Sequence, residues 1–136
     1  VSLVRSKEWN IAPDRLGIVG VSAGGHLAIA TATGFGKRTY EPIAEVDKVS
    51  CPPDFAVPVY SGYLKAADKN ELARGLRVPA KTPPVFLVHG GADLVSDPEH
   101  SVTMYLALKR AGIAMWPVGK MIVPKDQGGM PAHPRA

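Results

Sequence analysis

Between Leu16 and Thr33 the chain passes from a short apolar run, Leu16 to Val21, through Gly20-Val21-Ser22-Ala23-Gly24 into a small-residue helical pattern, Leu27 to Thr33. Apolar strand, sharp turn and helix in that order make a G-x-S-x-G string a nucleophile elbow rather than a chance match. The glycines carry a steric expectation. Gly20 and Gly24 let strand and helix approach closely around a serine held in strained backbone geometry. The hydroxyl of Ser22 would then stand clear of the sheet, above a helix N-terminus whose free N–H groups suit a developing oxyanion. A membrane span is the competing reading, because residues 16–36 carry no Asp, Glu, Lys or Arg. Ser22, His26, the threonines and six glycines in that window speak against it, since a span needs about 20 predominantly apolar residues.

The 136 residues suffice for one domain with its own core, and 46% hydrophobic with 21% charged residues is ordinary for a globular chain. The net charge of +4 comes from scattered basic residues. The densest pairs, Lys37-Arg38 and Lys109-Arg110, lack interleaved aromatics, so a nucleic-acid groove is not expected. The single Cys51 rules out an internal disulfide framework and a Cys-based zinc site. No metal or cofactor is called for. No signal peptide is legible, which leaves the cytoplasm as the default expectation.

Elsewhere the pattern alternates. Val1 to Asn10 reads as the end of a helix, and Ala12 to Arg15 as a turn. Gly34 and Gly36 stop the elbow helix, and Pro42, Pro52 and Pro53 make residues 41–54 loop-like. Phe55 to Tyr60 reads as a second buried strand, followed by weak helical patterning from Leu64 to Leu76. After the Pro-rich stretch 79–84, Val85-Phe86-Leu87-Val88 predicts a third, parallel strand, with His89-Gly90-Gly91-Ala92-Asp93 as the loop at its end. Asp97 as N-cap, Pro98 at the first position, Glu99 in the first turn and Gly112 at the stop predict the clearest helix. Ile113 to Val118 suits a fourth strand that Pro117 confines to an edge or denies altogether. Strands alternating with helices predict an α/β fold with a mostly parallel sheet, whose sites form at the C-terminal ends of the strands. Ser22 and Asp93 would share that edge.

On these residues the chain resembles an α/β-hydrolase of the esterase type, in particular carboxylesterases and acetyl-esterase-like enzymes with a G-x-S-A-G-G-H-L-A elbow. The resemblance spans roughly residues 5 to 115. It includes Trp9-Asn10-Ile11-Ala12-Pro13-Asp14-Arg15-Leu16 before the elbow, Thr82 to Asp93 around the third strand, and Pro98-Glu99-His100-Ser101 opening the next helix. It implies a serine hydrolase in the order nucleophile, acid, base. Ser22 matches the nucleophile, the Ala23 N–H one oxyanion donor, and Asp93 the acid that holds a histidine in its working tautomer. Asp97 is the rival acid, but an N-cap role accounts for it. The resemblance also implies a Gly-rich oxyanion motif and further strands upstream. The 21 residues before Ser22 supply neither, and His89-Gly90-Gly91 belongs to the acid loop. The expectation is therefore a partial α/β-hydrolase fold over residues 1–118 with its early strands missing, and a poorly ordered tail over 119–136. The first strand would be an exposed edge through which a homo-oligomer forms.

Four histidines compete as base. His26 belongs to the elbow helix, His89 ends a strand and His100 opens a helix on the wrong side of the acid loop. His133 lies beyond the acid in the implied order, near Gly128-Gly129. By counting, Lys125 falls where the family's Gly-Gly-His stretch is expected. The leading function is hydrolysis of a small-molecule carboxylic ester, with a short acyl chain, through an acyl-enzyme on Ser22. The alternatives are a peptidase of the prolyl-oligopeptidase type and a non-catalytic remnant serving as an interaction module.

Overall fold

A computed structural model describes residues 5–36, 41–48 and 52–115. The elements run β1 (Gly17–Val21), α1 (Ala23–Gly34), a short 3-10 helix (Glu45–Lys48), β2 (Phe55–Val59) and α2 (Glu99–Arg110). β1 and β2 pair in parallel, Gly17 opposite Phe55 through Val21 opposite Val59. Their entry is clamped by Asp54, whose N–H donates to the Leu16 carbonyl while its carboxylate accepts the Leu16 N–H, both at 2.7 Å.

The expected third strand, 85–88, runs parallel beside β2 as two bridges rather than an unbroken ladder, Ala56 with Val85 and Val59 with Val88. Pro58 explains the gap. The N–H groups of Ala56 and Tyr60 donate to the carbonyls of Pro84 and Val88, but the residue between them has no N–H to give. A single further bridge, Val85 with Met115, starts the expected fourth line. Four parallel segments thus lie side by side, with β1 on the outside. Among the described residues, no strand pairs with the outer edge of β1.

Both long helices cover one face. Ile29 and Ala32 of α1, and Met104 and Leu108 of α2, meet Ala56, Val85 and Leu87 in one buried cluster. On the opposite face Val19 and Val21 are 65% and 59% exposed. α2 starts and stops as its sequence predicts. The Asp97 carboxylate accepts the Glu99 N–H at 2.8 Å, and Pro98 sits at φ −55°. At its end Gly112 adopts φ +68°, and the N–H groups of Gly112 and Ile113 close onto the carbonyls of Lys109 and Leu108. The same two-bond stop ends the turn over residues 5–10, where Asn10 takes φ +51°.

The helix expected around Leu64 to Leu76 is not formed. Lys65 instead pairs antiparallel with Leu72 about an exposed polar turn at 67–70. Leu64 is buried in the core while Leu72 and Leu76 pack against it, so the apolar residues are anchored one by one rather than along a helical stripe. Residues 119–136, expected as a tail, and Cys51 lie outside the described residues.

Candidate active site

Ser22 joins β1 to α1 with φ +54° and ψ −120°, a backbone conformation that costs a residue bearing a Cβ about 1–3 kcal/mol. It is held there from both sides. Its N–H donates to the Val59 carbonyl at 2.8 Å, and its carbonyl accepts from Gly25 at 2.9 Å and His26 at 3.3 Å. The side chain is exposed and makes no capping bond to the helix it precedes. Ala23 is the first residue of α1, so its N–H has no partner within the helix.

The close approach of strand and helix is real, but the expected pair of glycines is half right. A methyl on Gly20 would fall 2.0 Å from the Gly24 carbonyl oxygen. Gly24 itself has open space where a methyl would go. The second tight position is Gly25, where a methyl would fall 2.1 Å from the Ser61 hydroxyl. The helix thus approaches the sheet at Gly25, one residue later than the sequence motif suggests.

Asp93 follows the 85–88 segment, on the same edge of the sheet as Ser22. One carboxylate oxygen accepts the N–H groups of Val95 at 2.8 Å and Ser96 at 3.0 Å. The other lies 3.5 Å from Nε2 of His89. The Ser96 N–H bond, aided by that of Val95 and by the imidazole of His89, lowers the Asp93 pKa against the opposing cost of burial. Asp97, the rival acid, instead caps α2.

The described histidines are occupied differently. His89 uses both ring nitrogens, Nδ1 at 2.7 Å from the Ser101 hydroxyl and Nε2 at 2.8 Å from the Ser96 carbonyl. His100 accepts the Lys65 N–H on Nδ1 at 3.0 Å, and burial lowers its pKa. His26 stands edge-on to Tyr63, with its Nδ1 buried and unpartnered. No ring nitrogen of these three is hydrogen-bonded to Ser22; only the backbone N–H of His26 reaches it, at the carbonyl. His133 and Lys125 lie outside the described residues.

Sequence reasoning missed two features. Tyr60 and Tyr63, after β2, both have positive φ (+48° and +59°), so the strained backbone at this edge is not confined to Ser22. The other is the grip of His89 on the acid loop. Its signal in sequence was faint, a histidine four residues before the acid and at a strand end. Among the described residues no group of side chains could hold a metal ion, and no helix is long and apolar enough to cross a membrane.

The fold recurs in solved α/β-hydrolases. An acetyl ester-xyloside bifunctional hydrolase from Caldicellulosiruptor lactoaceticus superposes with a TM-score of 0.70 at 32% identity, over 84% of this chain and 48% of that one. MGS-M1, an α/β hydrolase enzyme from a Medee basin deep-sea metagenome library, gives 0.62 at 23% identity, over 84% and 41%. A truncated form of a carbohydrate esterase from gut microbiota gives 0.66 at 19% identity, over 84% and 53%. The last two share the fold. The chain spans about half the length of these structures. No curated protein matches it. A family model does, over residues 1–118 and therefore through both the elbow and the acid loop, and by that match the chain belongs to the prolyl oligopeptidase family.

Proposed function

We propose that this chain carries the nucleophile and acid of a serine hydrolase that cleaves carboxylic esters with short acyl chains. The observation that carries the reading is Ser22 itself. It is exposed at φ +54° and ψ −120°, directly before a helix N-terminus. Strain of this kind persists where the surroundings over-determine it, and it suits a hydroxyl that must stand clear for attack. Ser22 Oγ attacks the ester carbonyl, a histidine takes its proton and returns it to the leaving alcohol, and water then releases the acid. The Ala23 N–H receives the oxyanion, and Asp93 orients the histidine through the carboxylate oxygen that its loop leaves free. His133 is assigned as that base. It follows the acid in chain order, and the geometry of His89 and His100 commits each to other bonds.

The ester reading draws on the acetyl ester-xyloside hydrolase at 32% identity. Peptide hydrolysis is the second reading, favoured by the prolyl oligopeptidase family match. Turnover of p-nitrophenyl acetate against a prolyl peptide amide separates them, with Ser22→Ala as control. Ester turnover lost in Ser22→Ala is the expected result. Turnover that survives the substitution overturns the nucleophile, and silence on both substrates favours a non-catalytic module.

A further inference from the structure

His89 occupies a place that neither the nucleophile nor the base explains. It directly follows the 85–88 segment, its side chain is 3% exposed, and its ring meets three parts of the structure. Nε2 lies 2.8 Å from the Ser96 carbonyl, which can only accept, so Nε2 carries a hydrogen. The same edge of the ring lies 3.5 Å from the Asp93 carboxylate oxygen that no backbone N–H occupies. Nδ1 faces the Ser101 hydroxyl in the first turn of α2 at 2.7 Å. Tyr60, next along from the Val59 carbonyl that holds Ser22, packs edge-on against the ring at 5.9 Å.

We propose that His89 is a positioning residue for Asp93, and that its Nε2–H fixes the acid loop so that the free carboxylate oxygen points at the catalytic base. The inference rests on the reading of Asp93 as the acid. Its physical content is a division of labour on one carboxylate. The N–H groups of Val95 and Ser96 hold one oxygen from within the loop. Those bonds would move with the loop if it swung as a body. His89 ties the loop, through the Ser96 carbonyl, to the end of a buried strand that cannot move with it. A carboxylate fixed to the sheet, not only to its own turn, keeps its angle to a histidine arriving from another segment. A misplacement of such a carboxylate by about 1 Å costs up to roughly 100-fold in rate.

Two amide substitutions separate positioning from support. His89→Gln places an N–H donor where Nε2 stands, within reach of the Ser96 carbonyl and Asp93. His89→Asn places its amide near Nδ1, where it serves Ser101 and cannot reach the acid loop. Expected for p-nitrophenyl acetate is a roughly 10- to 100-fold loss of kcat in His89→Asn with KM unchanged, and recovery to within about threefold in His89→Gln. Melting temperatures rank out a general loss of fold. Equal losses in the two variants, or losses that follow melting temperature, overturn the proposal. Amide exchange at Val95 and Ser96 reads the same clamp without turnover. Protection lost in His89→Asn and kept in His89→Gln supports it, and unchanged protection in both overturns it. Should the wild-type chain prove silent on esters, the ester reading fails by that result and amide exchange alone decides the role of His89.

Discussion

At the scale of single residues, the two candidate acids separate by what their carboxylates already do. Asp97 spends an oxygen on the Glu99 N–H, so Asp97→Ala should cost about 1 kcal/mol of stability, as a lost N-cap does, and leave kcat near wild type. Asp93→Asn should remove most turnover, because an amide presents the base with the wrong partner. Steady-state kinetics beside denaturant melts checks both, and equal kinetic losses would refute the division. Asp93 also predicts a pH dependence. Its folded pKa is depressed, so its ionised form contributes stability above the ordinary carboxylate range, and that contribution is lost as pH falls below about 4. Melting temperature should drop more steeply on acidification in wild type than in Asp93→Asn. Ser22 shows the opposite trade. Since its hydroxyl caps nothing and its φ is +54°, Ser22→Gly should raise stability by about 1 kcal/mol while abolishing turnover. A lower melting temperature would show that the conformation is unstrained.

At the scale of elements, the elbow depends on two glycines and not on the motif's second one. Gly20→Ala and Gly25→Ala should each destabilise by more than about 1 kcal/mol, because the added methyl meets the Gly24 carbonyl in one case and Ser61 in the other. Gly24→Ala should be neutral or stabilising by up to about 1 kcal/mol, since it fills open space on a helix. Circular dichroism melts of the three variants test the order. The contrast shows what the sequence made legible. Strand, turn and helix around Ser22 could be read because apolar period and glycine placement are local signals. So could α2, whose cap, first-turn proline and terminal glycine are each a local choice. Which glycine touches the sheet depends on Ser61, far along the chain, and no local pattern carries that. The same holds for residues 64–76, where leucines at the core and its margin mimic a weak helical stripe although the backbone between them makes an antiparallel pairing instead. It holds for His89 as well, since Ser96 and Ser101 meet it only once the loop has closed. Pro58 was visible as a letter, but its missing rung matters only with 85–88 alongside.

At the scale of the whole molecule, the sheet has one covered face and an outer strand without a partner among the described residues. Val19 and Val21 add apolar area beside that free edge. A parallel edge with unpaired N–H and C=O groups invites a second chain, so this chain as it stands should size as a dimer or larger by light scattering. Val21→Lys should shift it toward monomer, and a monodisperse wild-type monomer would refute the expectation. The parallel pairing has a further consequence, and it is kinetic. No two neighbouring lines of this sheet are joined by a hairpin, and their partners lie roughly 30 to 40 residues apart. Each pairing must therefore close a long loop before any bond rewards it. Ser22 and Asp93 reach the same edge only after two such closures, through β2 in the middle. A refolding chain would regain its helices early and bring Ser22 and Asp93 to one edge late, in step with the slowest phase of the sheet.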